Sequence, residues 1–172
     1  GTDVYVRDAD TFAEESVHLI ADNNDLKGIS FTDSVCTIGV NTTVTELLED
    51  NQLKTVFPKL QSFLKLVSSE QIRNMGTLGG NFVNASPIGD MTVFFLALNS
   101  TLTIIGKNGN ERQIPLEEFH QDYKIYDLQE GELLKSIAFQ LLDNKTFFNF
   151  EKVSKRTHLD IASVNAAGRI SV

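Results

Sequence analysis

Hydrophobic and polar positions alternate in short runs through roughly the first quarter of the chain and then give way to helical spacing. Thr2–Arg7 and residues 17–21 are rich in β-branched and apolar side chains and predict strands. Residues 28–31 and 35–40 alternate on either side of Thr32-Asp33-Ser34, whose side chains favour turns, and predict a hairpin. At Thr43-Val44-Thr45-Glu46 the Thr-x-x-Glu spacing ahead of an apolar run is the sequence form of a capping box and starts a helix. Phe57, Leu60, Phe63, Leu64 and Val67 then recur close to helical spacing and predict a second helix over residues 56–69, with Pro58 in its first turn.

Between residues 75 and 90 the periodicity disappears. Gly76, Gly79, Gly80, Gly89 and Pro87 cluster there with small polar residues, too many breakers for a regular element, and predict a shaped loop. Asp90 fits the N-cap of a buried helix over residues 91–98. Thr101–Ile105 and residues 111–114 flank Asn108-Gly109, a hairpin signal. Residues 115–119 predict one helical turn, residues 133–141 a strand, and residues 147–153 and 161–166 two more strands of a sheet.

Composition narrows the functional classes. A chain of 172 residues, 41% hydrophobic and 22% charged, can bury a core of its own and predicts a compact, mixed fold rather than disorder. A net charge of −8 leaves no basic face for a run of phosphates, which argues against DNA or RNA as the main partner. A nucleotide cofactor stays compatible, since backbone N–H groups at glycine turns and helix starts hold such ligands. One cysteine, Cys36, rules out an internal disulfide or an iron–sulfur cluster held by this chain, and reads as a buried strand residue. His18, His120 and His158 are far apart in sequence, so no metal site is expected. No apolar run approaches the roughly 20 residues that span a bilayer, and the start lacks signal-peptide features, so a cytoplasmic protein without a membrane anchor is expected. The first residue, Gly1, is not Met, and the chain reads as a piece of a longer protein or a processed product.

The informative stretch is Gln71-Ile72-Arg73-Asn74-Met75-Gly76-Thr77-Leu78-Gly79-Gly80-Asn81-Phe82-Val83-Asn84-Ala85-Ser86-Pro87-Ile88-Gly89-Asp90. It is neither a P-loop nor a Rossmann turn, because no Lys follows Gly80 and the glycine spacing differs. On physical grounds two readings stand side by side. One is a cradle in which glycines let a ligand approach backbone donors, with Thr77, Asn81, Asn84 and Ser86 adding neutral hydrogen-bonding groups. The other is a structural loop packed against the next helix.

Ile72-Arg73-Asn74, Thr77-Leu78-Gly79-Gly80-Asn81 and Asn84-Ala85-Ser86-Pro87-Ile88-Gly89-Asp90 together resemble the FAD-binding signature of molybdenum hydroxylase flavoproteins, the family of xanthine dehydrogenase and carbon monoxide dehydrogenase medium subunits. Gly1-Thr2-Asp3 resembles the end of that family's A-G-G-T-D turn, which cradles the FAD pyrophosphate. Glu132-Leu133-Leu134-Lys135-Ser136-Ile137 is similar to its E-[IL]-L-x-x-I strand, and Phe150 to Arg156 followed by Leu159-Asp160-Ile161-Ala162 to its F-x-K-x-x-x-R-x-x-x-D-I-A stretch.

The resemblance implies an α+β fold, the FAD-binding domain of the PCMH (vanillyl-alcohol oxidase-like) type, with a mixed or antiparallel sheet and flanking helices, shortened at its N-terminal end. It implies three parts: residues 1–55, the remainder of an N-terminal subdomain; 56–146, a central FAD-binding subdomain; and 147–172, the start of a C-terminal domain. It further implies that Thr77, Gly79, Gly80 and Asn81 hold the FAD phosphates and ribityl chain, that Gly1, Thr2, Asp3, Leu78 and Asn84 also bind the cofactor, that Asp90 takes a hydroxyl of the ribityl chain or ribose, that Leu134 packs on the cofactor and that Lys152 lies near the isoalloxazine. Val67 stands where larger members place an aromatic residue, although its helical spacing equally suits plain core. By spacing alone Lys152, Lys155, Arg156 and Asp160 read as a solvated strand and turn.

The role so implied is electron relay, from a [2Fe–2S] subunit or domain beside a molybdopterin-binding subunit, through FAD, to NAD or another acceptor. No catalytic acid or base is expected in this chain. Two other readings are a non-catalytic module whose glycine loop docks a partner subunit, and a flavoprotein of the same broad fold with other chemistry, such as UDP-N-acetylmuramate dehydrogenase or vanillyl-alcohol oxidase.

Overall fold

The structure, a computed structural model, describes residues 2–7, 10, 14, 16–21, 23–156 and 158–172. Its centre is a five-stranded antiparallel sheet in the order β1-β2-β7-β3-β4, formed by β1 (Ile29–Thr32), β2 (Val35–Gly39), β3 (Thr101–Ile105), β4 (Glu111–Pro115) and β7 (Leu133–Gln140). Both predicted hairpins form. Asp33 turns β1 into β2 at φ 44°, and Gly109, at φ 76°, takes the left-handed position that Asn-Gly supplies between β3 and β4. Burial alternates along β2 and β3, so one face carries Cys36, Ile38, Leu102 and Ile104 into the core. Burial also pushes the Cys36 thiol up to about 12, an unreactive side chain that packs as a small apolar group.

Between β2 and β3 the chain runs through six short helices: α2 (Val44–Glu49), α3 (Asn51–Val56), α4 (Leu60–Leu64), α5 (Glu70–Met75), α6 (Leu78–Asn84) and α7 (Asp90–Leu96). The capping box at Thr43 forms as predicted, its hydroxyl accepting from the Glu46 N–H while the Glu46 carboxylate accepts from the Thr43 N–H. Within and beside this helical layer Phe57, Phe94 and Phe148 meet edge-on, at ring separations of 4.8–5.4 Å. After β4 come α8 (Leu116–Phe119) and a small ribbon of β5 (His120–Asp122) and β6 (Ile125–Tyr126). The chain ends in β8 (Thr146–Val153) and β9 (Val164–Ser171), which among the described residues pair only with each other.

Several expectations are corrected. Thr2–Arg7 forms a helix, α1, and residues 17–21 form no strand, with Val17 and Leu19 exposed. Strand propensity needs a neighbouring strand to act on, and β1 closes that edge of the sheet with no further partner among the described residues. The single helix over residues 56–69 is broken, because Pro58 forces Phe57 out of the helical region to φ −122°, ψ 88° and so ends α3; α4 starts beyond the proline. The loop over residues 75–90 contains a helix, α6, running through both of its adjacent glycines. Gly89 rather than Asp90 occupies the N-cap of α7, leaving the Asp90 carboxylate free to face elsewhere. β9 begins at Val164, later than residue 161. Among the described residues no helix is long and apolar enough to cross a membrane, and no group of three or more His, Cys, Asp or Glu could hold a metal ion.

Candidate functional site

The first half of the glycine-rich stretch is bound to the loop that leaves β2. Thr77 pairs with Thr43 in an antiparallel bridge, the Leu78 N–H donates to the Thr42 carbonyl at 3.2 Å, and the Gly79 N–H donates to the Val40 carbonyl at 2.8 Å. Thr77 caps α6 by accepting from the Gly80 N–H. Every backbone donor in that first turn is thus engaged within the chain. Gly79 is a packing glycine, since a Cβ there would sit 3.0 Å from the Val40 Cβ, whereas a Cβ on exposed Gly80 would meet only the Thr77 hydroxyl. What α6 offers outward is side-chain chemistry at Thr77 and Asn81.

Arg73 and Asn74 have scaffold roles. Arg73 donates to the Val67 and Ser68 carbonyls, closing the turn after α4, and Asn74 accepts from the Thr45 hydroxyl. Asn81 reaches across to the next helix, where its Oδ1 accepts from both the N–H and the hydroxyl of Thr92 at 3.2 Å. A backbone N–H must face the oxygen, so the Asn81 Nδ2 is fixed on the other side, without a partner among the described residues. Gly89 lies between these groups; a Cβ there would fall within 3.1–3.2 Å of the Thr92 hydroxyl, the Asn81 Oδ1 and the Ser86 carbonyl.

Next to Gly89, Asp90 forms a buried ion pair with Lys152 of β8 at 2.7 Å, their side chains 11% and 3% exposed. The reading of Lys152 as part of a solvated face is therefore overturned. Its ammonium also donates to the Leu66 carbonyl at 3.0 Å, so two of its three protons have acceptors. Asn165 of β9 donates to the second Asp90 oxygen at 2.9 Å and to the Ile88 carbonyl.

Of the sequence-predicted site residues, Thr77, Gly79, Gly80, Asn81, Asp90 and Lys152 therefore share one continuous set of contacts. Asn84 lies at the far end of α6, where Lys124 donates to its carbonyl and side chain. Leu78 and Leu134 are buried in the hydrophobic core, and Val67 packs there as well, one residue from the carbonyl that Lys152 holds. Thr2 and Asp3 open α1, and Gly1 lies outside the described residues. Sequence reasoning missed Thr92, Lys124 and Asn165. Asn165 sits in a plain alternating strand, and Lys124 adopts φ 60°, with no glycine or motif to mark it.

Glu132, at the head of the predicted E-L-L strand, belongs to a separate network. Arg112 holds both its carboxylate oxygens at 2.7 and 2.9 Å and reaches the Asp127 carboxylate as well. The Arg112 guanidinium, with the Gln129 N–H, brings the Glu132 carboxyl down to about 2.

Comparison with known proteins places this architecture. Residues 4–139 match the family described as FAD binding domain in molybdopterin dehydrogenase. The chain is 31% identical over 167 residues to a xanthine dehydrogenase of Emericella nidulans, covering 91% of this chain and 12% of that protein. It is 28% identical over 142 residues to the carbon monoxide dehydrogenase medium chain of Hydrogenophaga pseudoflava, covering 81% of this chain and 49% of that one. The crystal structure of a Cu,Mo-CO dehydrogenase in its cyanide-inactivated form superposes with a TM-score of 0.81 at 28% identity, covering 88% of this chain and 52% of the other. An antiparallel α+β domain with a glycine-bearing helix beside a buried Lys–Asp pair is thus a flavoprotein fold. The chain belongs to the FAD-binding domain family of the molybdopterin dehydrogenases, whose cofactor is FAD. It spans about half the length of the medium chain and about a tenth of the xanthine dehydrogenase.

The donor set fits FAD. Asn81 presents an amide nitrogen without a partner among the described residues, Lys152 a buried ammonium with one proton to spare, and Asp90 a carboxylate with unused lone pairs. These are the complements of hydroxyls and ring carbonyls. The occupied amides of α6 leave its first turn less suited to phosphate.

Proposed function

We propose that this chain is the FAD-carrying relay of a molybdenum hydroxylase, receiving electrons from a [2Fe–2S] subunit or domain served by a molybdopterin-binding one and passing them to NAD or another acceptor, in the cytoplasm. The observation that carries the reading is the buried Lys152–Asp90 pair joined to the Asn81 side of α6. FAD, when bound, supplies the chemistry, accepting electrons singly on one side and giving them up in pairs on the other. The protein binds, orients and sets the local charge. Thr77 and Asn81 would donate to polar edges of the cofactor, and Asp90 would accept from a hydroxyl. Lys152 would place a fixed positive charge where negative charge gathers on reduction. Gly1, Thr2 and Asp3 are the candidates for the pyrophosphate, and Leu134 for packing on the cofactor.

We assign residues 147–172 to the start of a further domain. Supporting this, β8 and β9 leave the central sheet and turn Phe147, Val153, Val164 and Ile170 outward, each more than 60% exposed. That same face favours a second reading, a docking module, which need not exclude the first. The test is reconstitution: the FAD-loaded protein is mixed anaerobically with a reduced [2Fe–2S] partner protein. Bleaching of the visible flavin band supports relay; a flavin that stays oxidised beside a bound, reduced partner supports docking alone.

A further inference from the structure

Lys152 and Asn165 are direct cross-strand partners in the β8–β9 register. Their side chains share the inner face of the ribbon, as opposed residues in an antiparallel pair must. Between them they take both oxygens of one carboxylate: Lys152 holds the Asp90 Oδ2 and Asn165 the Oδ1. The second amide proton of Asn165 goes to the Ile88 carbonyl at 3.2 Å. With both protons on acceptors, the amide orientation is fixed, because a flipped side chain would set its oxygen against two others.

A carboxylate held at one oxygen can still swing about its last torsion. Held at both, it has one plane, and its remaining lone pairs point in set directions. Asp90 makes no cap on its own helix, which leaves the ribbon to decide where the carboxylate faces. We propose that Asn165 is a positioning residue for FAD, acting through Asp90 without touching the cofactor. The inference rests on the reading of Asp90 as a cofactor contact.

The test is a double-mutant cycle on FAD affinity in the whole flavoprotein, followed by flavin fluorescence. Asn165→Leu is expected to weaken FAD about tenfold where Asp90 is present and to have no further effect in the Asp90→Ala background. Equal loss in both backgrounds, or no loss in either, overturns the proposal, since a merely structural role is independent of Asp90. Should Asn165→Leu fail to fold, Asn165→Thr, β-branched and suited to a strand, supplies the same comparison. Failure of the underlying reading looks different: FAD affinity is then unchanged in Asp90→Ala itself.

Discussion

Lys152 on β8 and Asp90 at the start of α7, 62 residues apart in sequence, meet at 2.7 Å with both side chains almost fully buried. Each charge is tolerable there only because the other is present. Lys152→Met removes one partner and strands a carboxylate, and is expected to destabilise the fold by about 3–5 kcal/mol. Lys152→Met combined with Asp90→Leu replaces the pair by apolar groups and should recover most of that loss. Urea unfolding of the two variants measures both; a double variant no more stable than the single one contradicts this account.

The adjacent glycines of α6 have different tasks, and alanine separates them. Gly79→Ala drives a methyl to 3.0 Å from the Val40 Cβ and 3.3 Å from its carbonyl oxygen, and is expected to cost about 1–3 kcal/mol. Gly80→Ala faces solvent, gains helix propensity and crowds only the Thr77 hydroxyl, so its stability should stay within about 1 kcal/mol of the parent. Thermal melts in parallel distinguish the two.

The Arg112–Glu132 contact predicts a particular acid response. The Glu132 carboxyl titrates near 2 in the folded protein against an ordinary value of 4.5. A depressed carboxylate stabilises the fold above its unfolded value and loses that contribution as pH falls through the folded one. The stability difference between the parent and Arg112→Met is therefore expected to be full above about pH 4.5 and to shrink towards pH 2. A difference unchanged across that window would sink the assignment.

Much of the sheet was legible in the sequence because its signals are local. Asn108-Gly109 marks one hairpin, Thr32-Asp33-Ser34 the other, and the Thr43–Glu46 box a helix start. What escaped depended on distant partners. Gly79 and Gly80 read as breakers until Val40 is seen to require a residue without a side chain, at which point a helix through them becomes tolerable. Thr2–Arg7 has strand-like residues but joins no sheet among the described residues. Lys152 reads as a surface charge by spacing, and its burial against Asp90 appears only in the fold; its cross-strand neighbour Asn165 carries no local mark at all.

The most direct test of the central claim is a fluorescence titration of the purified protein with FAD, comparing the parent with Asn81→Ala, Asp90→Ala and a control, Asn149→Ala, on the exposed face of β8. The predicted result is a Kd raised at least about tenfold by each of the first two, as loss of a hydrogen bond to a charged or well-placed group implies, with the control unchanged. Equal FAD affinity in all four proteins would contradict a cofactor site built on α6, α7 and the β8–β9 ribbon.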